Sequence, residues 1–190
     1  MKKTVLTFGL ISGAVLAAMM VATMPFMDRI GFDHGMVVGY TTMVLAFLLV
    51  FFGIRSYREN IGQGQISFGR ALGVGLLIMV IGCICYVVTW EILYFNFLPD
   101  FAEKCAAYEI QKVRASGKSP AEIERDVESI RSMMDLYGKN ILVNIAFTFL
   151  EPLPVGVPMT LISALILRRR RPAFQGSQNL QDLQDRPNPV

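Results

Sequence analysis

The chain has 190 residues, of which 53% are hydrophobic and 17% charged, with a net charge of +3 and a mean hydropathy of +0.47. Soluble domains carry about 25% charged residues, and apolar residues gathered into long runs on so few charges exclude a disordered chain, a fibrous protein and a nucleic-acid-binding domain. What remains is an all-α integral membrane four-helix bundle, about one domain in size.

Four apolar stretches follow one another: about 4–25, 36–54, 71–98 and 141–167. A span needs about 20 apolar residues, because a helix rises about 1.5 Å per residue across about 30 Å of hydrocarbon. Lipid offers the backbone no hydrogen-bond partner, so each stretch is predicted to be helical. The first follows Lys2 and Lys3, as a secretory signal would. Its apolar run exceeds the roughly 7–15 residues of a signal core, and Ala22-Thr23-Met24-Pro25 is a poor cleavage site. It is expected to stay as a membrane helix.

Between the third and fourth stretches, residues 99–140 hold seven basic and eight acidic residues and read as an extramembrane αα-hairpin. Phe101 to Arg114 forms its first helix, with Phe101, Cys105 and Tyr108 on one side. Ala115-Ser116-Gly117-Lys118 breaks the chain, and Ser119-Pro120-Ala121-Glu122 is a capping box that starts the second helix. Ile123, Val127, Ile130 and Met134 then recur at helical spacing. The hairpin is expected to continue spans three and four outward. Residues 1–171 form the membrane domain, and the polar segment 172–190 is expected to be disordered.

Basic residues near span ends set the orientation. Lys2, Lys3, Arg55, Arg58, Arg70 and the run Arg168 to Arg171 lie on one side, whereas the loop Phe26 to Gly35 holds Arg29 beside Asp28 and Asp33. Both termini are therefore expected in the cytoplasm, with the hairpin outside. The arginine run reads as an anchor at anionic lipid headgroups.

Glycines recur four apart at Gly9 and Gly13, Gly35 and Gly39, Gly69 and Gly73. Such spacing lets membrane helices approach closely, within one bundle or between two copies. Glu91 and Glu151 are the acidic residues embedded in the spans. A carboxylate at the centre of a bilayer costs about 2.5–3.5 kcal/mol on insertion scales, so each needs a reason. Helix rise places both near the outer boundary of the hydrocarbon: about 31 Å from Arg70 to Glu91 and about 25 Å from Arg168 to Glu151. They read as interfacial carboxylates that reach water, with Tyr86, Trp90 and Tyr94 as an aromatic belt. The sharper alternative is a shared polar or proton site, with Asn144, Arg29 or His34 as further members. Pro152 and Pro154 are predicted to kink or open the fourth span just after Glu151.

Metal and catalytic sites are not expected. The single histidine, His34, excludes the usual zinc and histidine-based arrangements. Cys83 and Cys85 sit two apart on a helix and point to different sides. The loop trio Asp28, Asp33 and His34 reads as a polar turn rather than a cation site.

The exit of the third span, Tyr94-Phe95-Asn96-Phe97-Leu98-Pro99-Asp100-Phe101, the stretch Lys118-Ser119-Pro120-Ala121-Glu122-Ile123-Glu124 and the ending Leu161-Ile162-Ser163-Ala164-Leu165-Ile166-Leu167-Arg168 resemble the bacterial membrane protein family catalogued as domain of unknown function 4199. The paired lysines at the start and the glycines early in the first span fit as well. The resemblance covers about residues 1–171 and implies a bacterial integral membrane protein. It brings no assigned activity, cofactor or catalytic residue, and Glu151-Pro152-Leu153-Pro154 is not among the residues that carry it. The expectation for function is a structural or accessory bundle, not an enzyme, that acts through a membrane protein partner or as a homodimer, without nucleic acid or cofactor. The alternative is a small transporter or ion- or proton-binding protein that uses Glu91 and Glu151.

Overall fold

A helix satisfies its own amides in lipid, and every long apolar stretch of this chain is helical in the computed structural model, which describes residues 1–169 and, for Pro25, Met27 and Asp28, the backbone alone. In chain order the helices are α1 (Lys2–Thr23), α2 (Met27–Asn60), α3 (Phe68–Phe97), α4 (Phe101–Arg114), α5 (Pro120–Lys139), α6 (Ile141–Leu150) and α7 (Leu153–Leu167), and a 3-10 turn at Met24–Phe26 joins the first two. Four segments are long and apolar enough to cross a membrane: Lys2–Thr23, Arg29–Asn60, Phe68–Phe97 and Ile141–Leu167. Arg170, Arg171 and the segment expected to be disordered, 172–190, lie outside the described residues.

The second span is longer than expected. The segment read as a polar loop, Phe26 to Gly35, is helical except at Gly31, whose φ of 75° and ψ of 162° interrupt α2. A side chain is strongly disfavoured in that conformation and glycine is not, so the chain turns sharply there and resumes a helix at once.

The third span ends where Pro99 forces it to. Proline restricts the residue before it, and Leu98 leaves the helix with φ −130° and ψ 53°. The hairpin is therefore not a continuous extension of α3, as was expected. It is not continuous with the fourth span either, because Asn140 is extended and its side chain accepts the amides of Leu142 and Val143 to cap α6. The capping box is present: the Ser119 hydroxyl accepts from the Glu122 amide, and the Glu122 carboxylate accepts from the Ser119 amide at 3.0 Å. The fourth span divides into α6 and α7 at Glu151 and Pro152. Pro152 and Pro154 lack the amides that would reach the carbonyls of Thr148 and Leu150 four residues back, which is why the helix opens there.

α2 and α3 lie at the centre, each packed against both α1 and α7. Their shared core holds Phe47, Val50, Ile54, Val74 and Ile78, while Leu45, Phe52, Ile84, Val88 and Ile92 stand exposed on the outside. An apolar exterior is what a bundle surrounded by lipid presents, and close packing rather than hydrophobic exclusion then holds the helices together. At the end where α1 begins and α7 ends, Ile66 and Arg169 exchange backbone hydrogen bonds of 3.1 and 3.0 Å, and Arg58 donates to the Leu167 carbonyl at 3.4 Å. These bonds tie the α2–α3 loop to the end of α7.

The glycines divide into two groups. A Cβ on Gly9 would lie 2.8 Å from the Ile81 Cβ, and one on Gly13 would lie 2.5 Å from the Cys85 Cβ, so α1 and α3 meet at that pair as expected. A Cβ on Gly39, Gly69 or Gly73 would meet nothing within 4 Å, so these three are not helix-packing residues within the chain. Gly69 and Gly73 are exposed, on the side of α3 turned away from its neighbours. Gly35 and Gly39 border a cavity instead. Three glycines outside the four-residue spacing do the packing among α2, α3 and α7: Gly53 against Ile78, Gly75 against Thr160 and Gly156 against Met79.

Candidate functional site

Tyr86, Trp90 and Tyr94 recur every four residues on α3 and so share one face. That face does not look out to lipid headgroups: Trp90 is 7% and Tyr94 5% exposed. A buried indole N–H needs an acceptor, and Trp90 has two, the Tyr137 hydroxyl at 2.8 Å and the Asn144 carbonyl oxygen at 3.2 Å. One side chain of α3 is thereby joined to α5 and α6. Asn144 is fully buried and also accepts from the Thr148 hydroxyl at 3.3 Å. Burial pushes the Tyr137 phenol up to about 12, which keeps it neutral. Rings continue the contact outward, with Phe101 edge-on to Trp90 at 4.8 Å and Phe32 stacked on Tyr108 at 4.9 Å.

Beside this aromatic wall lies a partly open cavity of about 300 Å³, lined by α1, the start of α2, α3 and α4, with Tyr137 of α5 and Glu151. Five methionines line it, Met19, Met20, Met24, Met36 and Met43. Methionine is flexible and polarizable, and surfaces rich in it adapt to varied apolar partners. The aromatic side chains Tyr40, Tyr86, Trp90, Phe101 and Tyr108 form much of the remaining wall. Gly39 opens into the space with no side chain of its own.

Two carboxylates border the cavity, Glu109 and Glu151. Glu151 stands at the break between α6 and α7 and accepts a hydrogen bond of 2.8 Å from the Tyr86 hydroxyl. Among the described lining residues none is Lys, Arg or His. The Cys105 thiol, also in the wall, is held above its usual range by burial and by the nearby Glu109.

The two embedded carboxylates are not brought together. Glu151 turns to Tyr86, whereas both oxygens of Glu91 are covered and accept no hydrogen bond among the described residues. The reason lies in helix geometry: Glu91 follows Trp90 by one residue, about 100° around α3, and so leaves the face that α6 covers. Asn144 serves Trp90 and Thr148 rather than either carboxylate. Asp33 accepts from the Tyr108 hydroxyl, with Lys112 4.0 Å away and over the Tyr108 ring, so it pins α4 to α2. His34 is exposed, and the Asp28 side chain lies outside what the structure describes.

The cavity was not anticipated from the sequence, although one signal for it exists. Met36, Gly39, Tyr40 and Met43 fall at i, i+3, i+4 and i+7 and so define one face of α2.

No curated protein and no solved structure matches the chain. Residues 7–169 match the family described as protein of unknown function (DUF4199), and the match spans the bundle, the hairpin and every wall of the cavity. This chain, an integral membrane protein with four helices able to span a bilayer, belongs to that family.

Proposed function

We propose that the protein is a non-enzymatic accessory component of the bacterial inner membrane that acts by binding a lipophilic molecule in the cavity at its hairpin end. Both termini face the cytoplasm in this reading, and the hairpin lies outside. The observation that supports it is the cavity itself. Its volume of about 300 Å³ is at the lower end of the roughly 300–1,000 Å³ of ligand pockets, and its wall is mostly apolar with a few polar groups, as theirs are. Phe101, Cys105 and Tyr108 of α4 belong to that wall. Occupancy would therefore bear directly on the hairpin, the part that projects from the bundle and that a membrane protein partner would meet. The alternative, an ion or proton site shared by Glu91 and Glu151, has less support: Glu151 accepts from Tyr86, and the covered Glu91 oxygens have no hydrogen-bond partner among the described residues.

Trp90 is the sole tryptophan of the chain and stands in the cavity wall, so its fluorescence reports on what enters. Brominated alkyl compounds should quench it in the detergent-purified protein in a saturable way. Gly39→Leu should abolish the saturable part, because the new side chain enters the cavity without meeting a neighbour at its Cβ. Equal, non-saturating quenching of both proteins would refute the proposal.

A further inference from the structure

We infer that the molecule taken by this cavity is a lipophilic cation, an alkyl amine or quaternary ammonium, with its charged group at Glu151 and its chain among the methionines. The inference rests on the reading of the cavity as a binding site and adds the class of ligand.

Three observations support it. First, the lining is charge-asymmetric: Glu109 and Glu151 border it, and no described lining side chain is cationic. The two carboxylates differ in their surroundings. Lys112 acts electrostatically on Glu109, whereas the partner of Glu151 is the neutral hydroxyl of Tyr86. Glu151 thus lacks a countercharge in the wall, and its side chain stands exposed, within reach of a ligand, at the break in a segment long and apolar enough to cross a membrane. A carboxylate in such a segment calls for an opposite charge. Second, the aromatic side chains Tyr40, Tyr86, Trp90 and Tyr108 share that wall. Their faces attract a cation and do not attract a neutral or anionic group of the same size, and cages of such rings are how quaternary ammonium groups are held. Third, Met19, Met20, Met24 and Met43 offer an adaptable apolar surface beside the rings, suited to a hydrocarbon chain. A cation without a lipophilic part would leave that surface uncovered, and a lipophile without a charge would leave Glu151 unmatched.

The test uses three brominated octyl compounds that differ in head group alone: trimethylammonium, hydroxyl and sulfonate. Each is titrated against the full-length protein in a non-ionic detergent, with Trp90 quenching as the readout and Gly39→Leu as the blocked control. The ammonium compound should bind about ten-fold more tightly than the alcohol, as expected of a desolvated cation among aromatic rings and a carboxylate, and the sulfonate should bind most weakly. Glu151→Gln should bring the ammonium affinity close to that of the alcohol measured on the same variant. Tyr86→Phe, which frees the carboxylate of its phenol, should retain the preference for the cation. Equal binding of ammonium and alcohol to the wild-type protein would overturn the inference and leave the binding site in place, and so would a preference that survives Glu151→Gln. Absence of saturable quenching by all three would overturn both. The wild-type ratio decides the matter even where Glu151→Gln fails to fold.

Discussion

Gly13 of α1 faces Cys85 of α3 so closely that a Cβ on the glycine would lie 2.5 Å from the cysteine Cβ and 2.7 Å from its sulfur. Gly82, one turn earlier on α3, packs against Ser12, whose hydroxyl donates to the Ala46 carbonyl of α2 at 3.0 Å. Three helices therefore converge at one level, and the absence of a side chain on Gly13 is what lets them do so.

Gly13→Leu should force α1 and α3 apart and cost about 1–3 kcal/mol, the usual range for overpacking. Gly73→Leu places the same side chain where a Cβ meets nothing within 4 Å and should leave stability unchanged. Thermal denaturation of both variants in detergent checks the contrast. Equal midpoints would place Gly13 outside the interface.

Tyr137→Phe removes the nearer of the two acceptors of Trp90 and leaves Asn144 as the other. The loss should be about 0.5–1.5 kcal/mol, that of one ordinary hydrogen bond, whereas Asn144→Leu, at a fully buried site, should cost more. The phenol also sets a pH dependence. Its folded value of about 12 exceeds the ordinary value of about 10, with burial as the largest cause. Its contribution is therefore complete below about pH 10 and declines as pH rises toward 12. Tyrosinate absorbance of the wild type minus that of Tyr137→Phe should show a transition near 12, and a transition near 10 would mean the ring is not buried.

Ser119→Ala should weaken α5 by about 1 kcal/mol, the usual cost of losing an N-cap. Glu122, whose carboxylate is held below its usual range by the Ser119 side chain, contributes to the cap above an unfolded value of about 4.3. That contribution is lost as pH falls through the lower folded value. Amide exchange at Glu122 to Val127 should thus quicken in Ser119→Ala at neutral pH, and the difference from wild type should shrink in acid.

A reporter fused after Arg171 should behave as cytoplasmic, and one inserted at Gly117 as external. Gly117 lies in the turn between α4 and α5 with φ 73°, where an insertion disturbs no helix. The expectation rests on the basic residues gathered at one end of the bundle. The opposite behaviour at either site would reverse the topology.

Run lengths and proline positions were enough to read the spans, the break in the fourth span and the hairpin from the sequence. Each follows from local rules: backbone amides must be satisfied in lipid, proline lacks an amide, and a serine with glutamate three residues later caps a helix. Gly9 and Gly13 were legible as a packing pair for the same kind of reason. What spacing along one helix does not contain is the angle at which a neighbour arrives. Gly73 and Gly75 differ by two residues on α3, yet the first faces away from the bundle and the second meets Thr160 of α7.

The candidate site depended wholly on that missing information. Glu91 and Glu151 stand out in the sequence as charges in apolar runs, and nothing local says that one would lie covered and unpartnered while the other accepts a hydrogen bond from Tyr86. Trp90 and Tyr94 have the composition of an interfacial belt, but α4 and α5 fold back over them and bury them. The methionines of the cavity come from α1, the 3-10 turn after it and α2, its rings from α2, α3, α4 and α5, and its carboxylates from α4 and the break after α6. Composition and periodicity determined that the chain crosses a membrane as helices, because hydration of the backbone is a property of each segment alone. The cavity and its charge were decided by the way the segments pack, because a concave wall exists only where several of them meet.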